Sequence, residues 1–300
     1  MTASSPALRL LLGFSPGSAS HNVAQAIVPG LAAHLGRSVE LELHPGDSGK
    51  LAARMAAAAK PDGNTLLIAT LGTHALVPAI DPGCGYHPLN DFTPISLLLK
   101  APLILAVPSS AEIRSVAALI EVARAADSPL VYGSSAVGGA PHLAAALFAR
   151  RAGVTLRHAR YSDTRELYAD LVAGRIDLSF NNVMSMLPLI RAGKLVSLGT
   201  TGARPHPALP DVQPIASAGL SDYEITNWLG VVGPSGLSPV AVTEIGHGLA
   251  AAARDIANTE SNIATGFVED FAAFIRSENR RWTPIIRELG RTSQSIRSAV

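Results

Sequence analysis

The sequence is poor in the groups that most often announce a chemistry. Its 300 residues hold one cysteine, Cys84, which excludes an intrachain disulfide and a cysteine-based metal site. Aromatic residues make up 5%, too few for base-stacking platforms. A net charge of +1 leaves no basic surplus for a phosphate backbone, so nucleic acid is not an expected partner. No apolar run approaches the ~18 residues of a membrane-spanning helix. A Gly-x-Ser-x-Gly nucleophile elbow is missing, since neither Gly17-Ser18-Ala19 nor Gly133-Ser134-Ser135 completes it. The small-residue run Ser134–Gly139 lacks the Gly-Lys-Ser/Thr ending of a nucleotide P-loop. No two carboxylates are spaced for acid–base work. His21, His74 and His142 lack the i, i+4 spacing and clustered carboxylates of a metal site. No catalytic residue, metal or cofactor is therefore expected, and the partners expected are small molecules or proteins. The opening MTASSPALRLLLGF has no basic n-region, so it does not read as a signal peptide. The expectation is a cytoplasmic chain, or an exported one whose signal has been removed.

What is present is apolar material in a repeating pattern. Hydrophobic residues reach 48% against 16% charged, enough for a sizeable core, and the length suits two domains. Short apolar runs alternate with helical periodicity. Leu10–Leu12, Val39–Leu43, Thr65–Thr70, Ile95–Leu99, Leu103–Val107, Leu130–Gly133, Arg157–Tyr161, Ile176–Phe180, Leu195–Thr200 and Glu224–Val232 read as strands. Residues 78–94 read as a surface segment, Pro29-Gly30 as an interruption of the first helix, and the polar tail from Arg291 as disordered. Trp228 reads as core. The alternation predicts an α/β fold with mainly parallel sheets. Crossings near residues 101 and 226 predict two lobes, 1–100 plus 226–300 and 101–225, with a ligand cleft between them and a hinge at the crossovers.

One unit recurs three times: a strand, a loop of small residues, and the start of a helix. It occurs at Gly13–Ser20, at Leu71–His74 and, most cleanly, at Ser134–His142. The first N–H groups of a helix have no partner inside it, and the helix dipole adds partial positive charge there. A loop without bulky side chains lets an anion reach them. The histidines that open these helices read as polar helix starts, with a neutral ring bonded to backbone. Asn181-Asn182, at a strand end, reads equally as a turn pair or as amides for a ligand.

In order and spacing, several segments resemble the Bug family of periplasmic solute-binding proteins. They are Phe14-Ser15-Pro16-Gly17, Lys60-Pro61-Asp62-Gly63-Asn64, Gly72-Thr73-His74-Ala75, Tyr86-His87-Pro88-Leu89-Asn90-Asp91-Phe92-Thr93-Pro94, Tyr132-Gly133-Ser134, Ala208-Leu209-Pro210-Asp211-Val212 and Trp228-Leu229-Gly230. The resemblance covers nearly the whole chain. It implies a two-lobed Venus-flytrap fold of the type II-like periplasmic-binding-protein class. It also implies a periplasmic location, a small carboxylate solute, and delivery to the permease subunits of a tripartite tricarboxylate transporter by a monomer. Carried onto this chain, it implies ligand contacts from Phe14, Pro16, Gly17, Ser18, Ser20, His21, Gly72, Thr73, His74, Ser134, Val137, Gly138, Gly139, Tyr161 and Asn181. Two departures stand out. The family's Pro-Gly-Gly-x-x-Asp is here Pro16-Gly17-Ser18, with His21 in place of the acid, and its Phe-Asp-Asn is Phe180-Asn181-Asn182. Both remove a carboxylate, which predicts a site better suited to anions than to amines. The segment Ala253–Val268 is also shorter than in relatives. A signalling module and an α/β enzyme are the competing classes.

Overall fold

The computed structural model describes residues 6–134, 138–259 and 270–292. The chain clusters into two compact units. Unit 1 comprises the residues up to Lys100 together with Trp228–Arg291, and unit 2 comprises Ala101–Asn227.

Unit 1 begins with β1 (Leu8–Leu12) and α1 (Ala19–Leu35), followed by β2 (Val39–Leu43), α2 (Lys50–Ala57) and β3 (Thr65–Thr70). A π-helical turn, Gly72–Leu76, and the short α3 (Val77–Ile80) lead to β4 (Phe92–Pro108). β1 lies parallel between β2 and β3, with Leu10 opposite Leu41 and Leu66. β3 is buried along its whole length, as expected of a central strand in a covered parallel sheet.

Two sequence expectations fail here, each for a local reason. Pro29 does not interrupt α1; the helix runs through it. Pro29 and Gln25, whose carbonyl loses its donor, are both exposed, so water can take the lost bond's place. Gly30 is instead a packing notch, because a Cβ there would lie 2.8 Å from the Ala252 Cβ. The two strands expected on either side of Lys100-Ala101-Pro102 are one 17-residue strand, β4. Its pairing in unit 2 starts at Leu103, so Pro102, with no N–H to give, falls just outside that ladder. Its first residues, Phe92–Pro94, belong to the stretch expected to be surface loop.

Unit 2 continues from β4 through α4 (Val116–Ala125), β5 (Leu130–Ser134), α5 (Ala140–Ala152) and β6 (Leu156–Arg160). It is completed by α6 (Thr164–Val172), β7 (Leu178–Asn182), α7 (Val183–Arg191) and β8 (Leu195–Thr200). β5 lies parallel between β6 and β7, while β4 runs antiparallel to both β7 and β8. One side of this sheet is packed by Leu167, Leu171, Ile176 and Met186. Phe148, Phe180 and Tyr223 form an aromatic cluster, and the Tyr223 hydroxyl donates to the Ala144 carbonyl at 3.0 Å.

The chain then re-enters unit 1 through β9 (Thr226–Pro234), antiparallel to β3, and ends its described part with α8 (Pro239–Thr259) and α9 (Phe271–Thr292). Strand order is β2-β1-β3-β9-β4 in unit 1 and β6-β5-β7-β4-β8 in unit 2. The sheets are thus mixed: parallel around β1 and β5, antiparallel where β9, β4 and β8 join. Trp228 is fully buried, with its Nε1–H donated to Glu278 Oε2 at 3.1 Å. The tail beyond Thr292 and most of Ala253–Val268, the segment expected to be shortened, lie outside the described residues. No helix among the described residues is long and apolar enough to cross a membrane.

Candidate functional site

In unit 1 the carboxyl ends of β1, β2 and β3 meet. A Cβ on Gly13 would sit 2.3 Å from the Gly49 Cα, and one on Gly49 would lie 2.8 Å from Thr73 Cγ2. Glycine is needed at both positions for the three loops to touch. The loop after β2 holds positive φ at four successive residues: Gly46 (123°), Asp47 (44°), Ser48 (52°) and Gly49 (87°). Two of these are not glycine, a strained arrangement of the kind that collects at ligand-binding loops. The sequence shows only a turn there; the missed signal is a pair of glycines three residues apart around two small polar residues.

In the β1–α1 loop Phe14 is half-buried, while Pro16 and Gly17 are exposed. Gly17 takes φ +78° and donates its N–H to His21 Nδ1 at 3.1 Å. Ser18 caps α1, its Oγ accepting the His21 N–H at 3.2 Å and lying 3.2 Å from Ser20 Oγ. The first turn carries no acidic residue. The amides of Ala19 and Ser20 precede the first intrahelical bond, so the positive end of α1 is not neutralised by a carboxylate of its own first turn.

Gly72, Thr73 and His74 are all buried in the π-helical turn after β3. The Thr73 hydroxyl accepts the Thr70 N–H at 3.0 Å and lies 2.9 Å from His74 Nδ1. The His74 ring packs against Phe92 (5.0 Å) and Trp228 (6.3 Å). Asn279 on α9 donates to its backbone carbonyl at 2.9 Å. Burial pushes the imidazole down to about 3, so it is uncharged at neutral pH. Its Nε2 is buried with no hydrogen-bond partner among the described residues.

Unit 2 repeats the plan. Gly138 has φ +78° and donates its N–H to His142 Nδ1 at 3.0 Å. Gly139 caps α5 without a side chain, Pro141 sits in the first turn, and no acidic residue is present there. His142 is fully buried and lies 4.6 Å, ring to ring, from His158, which in turn stacks on Tyr132 at 4.9 Å. Burial, with His158 alongside, pushes His142 down to about 3. Burial and then Arg160 push His158 down to about 4. Ser134 Oγ lies 2.8 Å from His158 Nε2. His158 was not anticipated from sequence; the only hint is its cross-strand position opposite Tyr132. Val137 lies outside the described residues.

The Tyr161 hydroxyl donates to Asp170 Oδ2 at 2.7 Å, and its N–H donates to the Ser134 carbonyl at 3.1 Å. Asn181, 5% exposed, accepts the Asn182 N–H on Oδ1 at 3.3 Å, which fixes which end of the amide is nitrogen. Its Nδ2 has no partner among the described residues. His74 and Asn181 therefore each bring one orphaned polar atom to the carboxyl end of equivalent strands, β3 and β7. Leaving such a group unpaired costs about 1–3 kcal/mol, which an incoming polar group would recover. Among the described residues no group of three or more His, Cys, Asp or Glu is placed to hold a metal ion.

Comparison with known proteins gives a consistent picture. The family model described as "Tripartite tricarboxylate transporter family receptor" matches residues 23–291. The UPF0065 protein in the tcbD-tcbE intergenic region of Pseudomonas sp. (strain P51) is 33% identical over 92% of this chain and 84% of its own. The structure of R. palustris Rpa4515 with adipate superposes with a TM-score of 0.81 at 31% identity, covering 94% of this chain and 97% of that one. The periplasmic binding protein BugD shares the fold at a TM-score of 0.81 and 23% identity, over 95% and 97% of the two chains.

Proposed function

The chain belongs to the tripartite tricarboxylate transporter receptor family, and from that premise we propose that it binds a small carboxylated solute in the periplasm and hands it, as a monomer, to the permease subunits of a tripartite transporter. The observation that carries this reading is the duplicated loop. Each unit offers a positive-φ glycine followed by a helix start with no acidic residue in its first turn. Such a start favours an anion. The residues proposed to serve the solute are Phe14, Pro16, Gly17, Ser18, Ser20, His21, Gly72, Thr73 and His74 from unit 1. From unit 2 they are Ser134, Val137, Gly138, Gly139, Tyr161 and Asn181. The relative Rpa4515 with adipate supports a dicarboxylate as the first candidate. Neutral Asn181, in place of an acid, favours carboxylates over amino acids, whose ammonium group would have no carboxylate to meet there.

Calorimetry with adipate, succinate, citrate, glutamate and glutamine tests this. Di- or tricarboxylate binding at micromolar Kd, with amino acids at least about tenfold weaker, is expected; a tenfold ratio corresponds to about 1.4 kcal/mol. Preferential binding of an amino acid overturns the specificity, and no binding of any carboxylate overturns the function. If one solute engages loops of both units, small-angle scattering shows compaction when it is added.

A further inference from the structure

We infer that His21 and His142 are positioning residues, each holding the positive-φ glycine four residues before it through the Nδ1 lone pair, so that the helix-start amides beyond that glycine are fixed before the solute arrives. This rests on the carboxylate-binding reading above and adds to it a role for two side chains.

The geometry is duplicated. Gly17 N–H to His21 Nδ1 is 3.1 Å, and Gly138 N–H to His142 Nδ1 is 3.0 Å. Both glycines have φ of +78°. The residue after each is extended, with Ser18 at φ −67°, ψ 157° and Gly139 at φ −73°, ψ 166°. The surroundings have little in common. Ser18 caps α1 through its hydroxyl, whereas Gly139 has no side chain to cap with. His21 is half-buried and His142 wholly buried. A contact that recurs while its neighbours change belongs to the loop itself.

The chemistry fits the task. Gly17 and Gly138 each lie one residue before the helix cap, so their N–H groups take no part in the helical ladder, and a backbone donor needs an acceptor. Imidazole supplies one at the δ position on a short, stiff side chain. Accepting at Nδ1 requires the neutral tautomer with its proton on Nε2. That leaves the ring uncharged toward the solute, and the anion is then met by backbone amides. His21 thereby acts through Gly17, and His142 through Gly138.

The amide of asparagine presents Oδ1 near the position of histidine Nδ1, whereas glutamine carries its oxygen one bond further out. The test compares His21→Asn, His21→Gln and His21→Ala for adipate and succinate binding, together with the 15N spectrum of the wild-type imidazoles and amide exchange at Gly17. His21 is only half-buried, in the first turn of α1, so all three variants are expected to fold. The Ala and Gln variants should raise Kd about tenfold, and Asn should stay within about threefold of wild type, the loss matching about one hydrogen bond. The spectrum should show both rings protonated at Nε2, and Gly17 should exchange faster in Ala than in Asn. An Ala variant that binds like wild type, an Asn variant as weak as Ala, or an Nδ1-protonated ring would each overturn the assignment. If the wild type binds neither acid, the functional reading fails. The tautomers and the Gly17 exchange then still decide the positioning role.

Discussion

The two units have one strand plan and the same loop, yet protect it differently. Unit 1 arranges strands as β2-β1-β3-β9-β4 and unit 2 as β6-β5-β7-β4-β8, each around a parallel trio that ends in site loops. In unit 1 the loops are packed backbone to backbone, Gly13 on Gly49, with Thr73 behind. In unit 2 they rest on side chains, Tyr132, His142 and His158 stacked beneath Ser134 and Gly138. Unit 1 therefore rests first on the absence of side chains, with His21 and the buried His74 as its neutral rings, and unit 2 on a stack of two buried imidazoles that must both stay neutral. The first dependence is steric and indifferent to pH. The second is electrostatic.

The largest separation between them is expected in acid. His142 at about 3 and His158 at about 4 lie below the ordinary imidazole value near 6.5. The unfolded chain therefore binds these protons more readily than the folded one. Their stabilisation is complete above about pH 6.5, falls as pH drops toward about 4, and levels off below about 3. Charging two buried imidazoles in this way corresponds to a loss on the order of several kcal/mol across that window. Unit 1 carries one such group, His74. Both tryptophans, Trp228 and Trp282, lie in unit 1, so their fluorescence follows that unit while far-UV circular dichroism follows both. Between pH 6.5 and 4, the melting temperature by dichroism should fall earlier and further than that by fluorescence. Superimposable curves would show that the histidine stack does not set unit 2 apart.

A steric counterpart comes from adding one methyl to each unit. In Gly13→Ala the new Cβ meets backbone, the Gly49 Cα at 2.3 Å, and the loop itself must move. In Gly133→Ala it meets the Ile176 Cδ1 at 2.5 Å, the far end of a side chain that can rotate. Overpacking costs typically about 1–3 kcal/mol. Gly13→Ala should fall at or above the top of that range and Gly133→Ala near the bottom. Urea unfolding at pH 7.5 measures both, and a Gly133→Ala variant less stable than Gly13→Ala would reverse the comparison.

The sequence exposes the parts of this arrangement that are local. The strand–loop–helix repeat is visible in Leu10–Val28 and again in Leu130–Ala152, because apolar runs, small residues and helical spacing are all one-dimensional signals. The bond from each histidine back to a glycine is nearly so, since it spans four residues. His158 is invisible because it reaches Ser134 across a strand pairing, and Gly49 because its partner Gly13 is 36 positions away in the chain. Pro29 misleads because a helix breaker counts only where its lost bond is shielded from water, and here it is exposed. Pro102 misleads because its strand continues beyond the ladder it does not join.

The smallest effect concerns the orphaned polar atoms at the ends of β3 and β7. Among the described residues Asn181 keeps a buried Nδ2 without a partner; an apolar replacement relieves that cost of about 1–3 kcal/mol, which offsets the long 3.3 Å bond it gives up from the half-buried Asn182 N–H. Asn181→Leu should therefore melt at or slightly above the wild-type temperature while losing affinity for adipate by about tenfold, the value of one hydrogen bond to a charged acceptor. Asn181→Asp restores an acid at that position and should weaken adipate at least as much, with glutamine or glutamate gaining relative to it. Stability and binding then move in opposite directions at a single residue. That pattern belongs to a group kept for its ligand, because a group kept for packing would lose both together. If Asn181→Leu binds adipate like wild type and merely melts lower, Asn181 is a core residue of unit 2, and that unit's contribution to the solute shrinks to the loop that His142 holds.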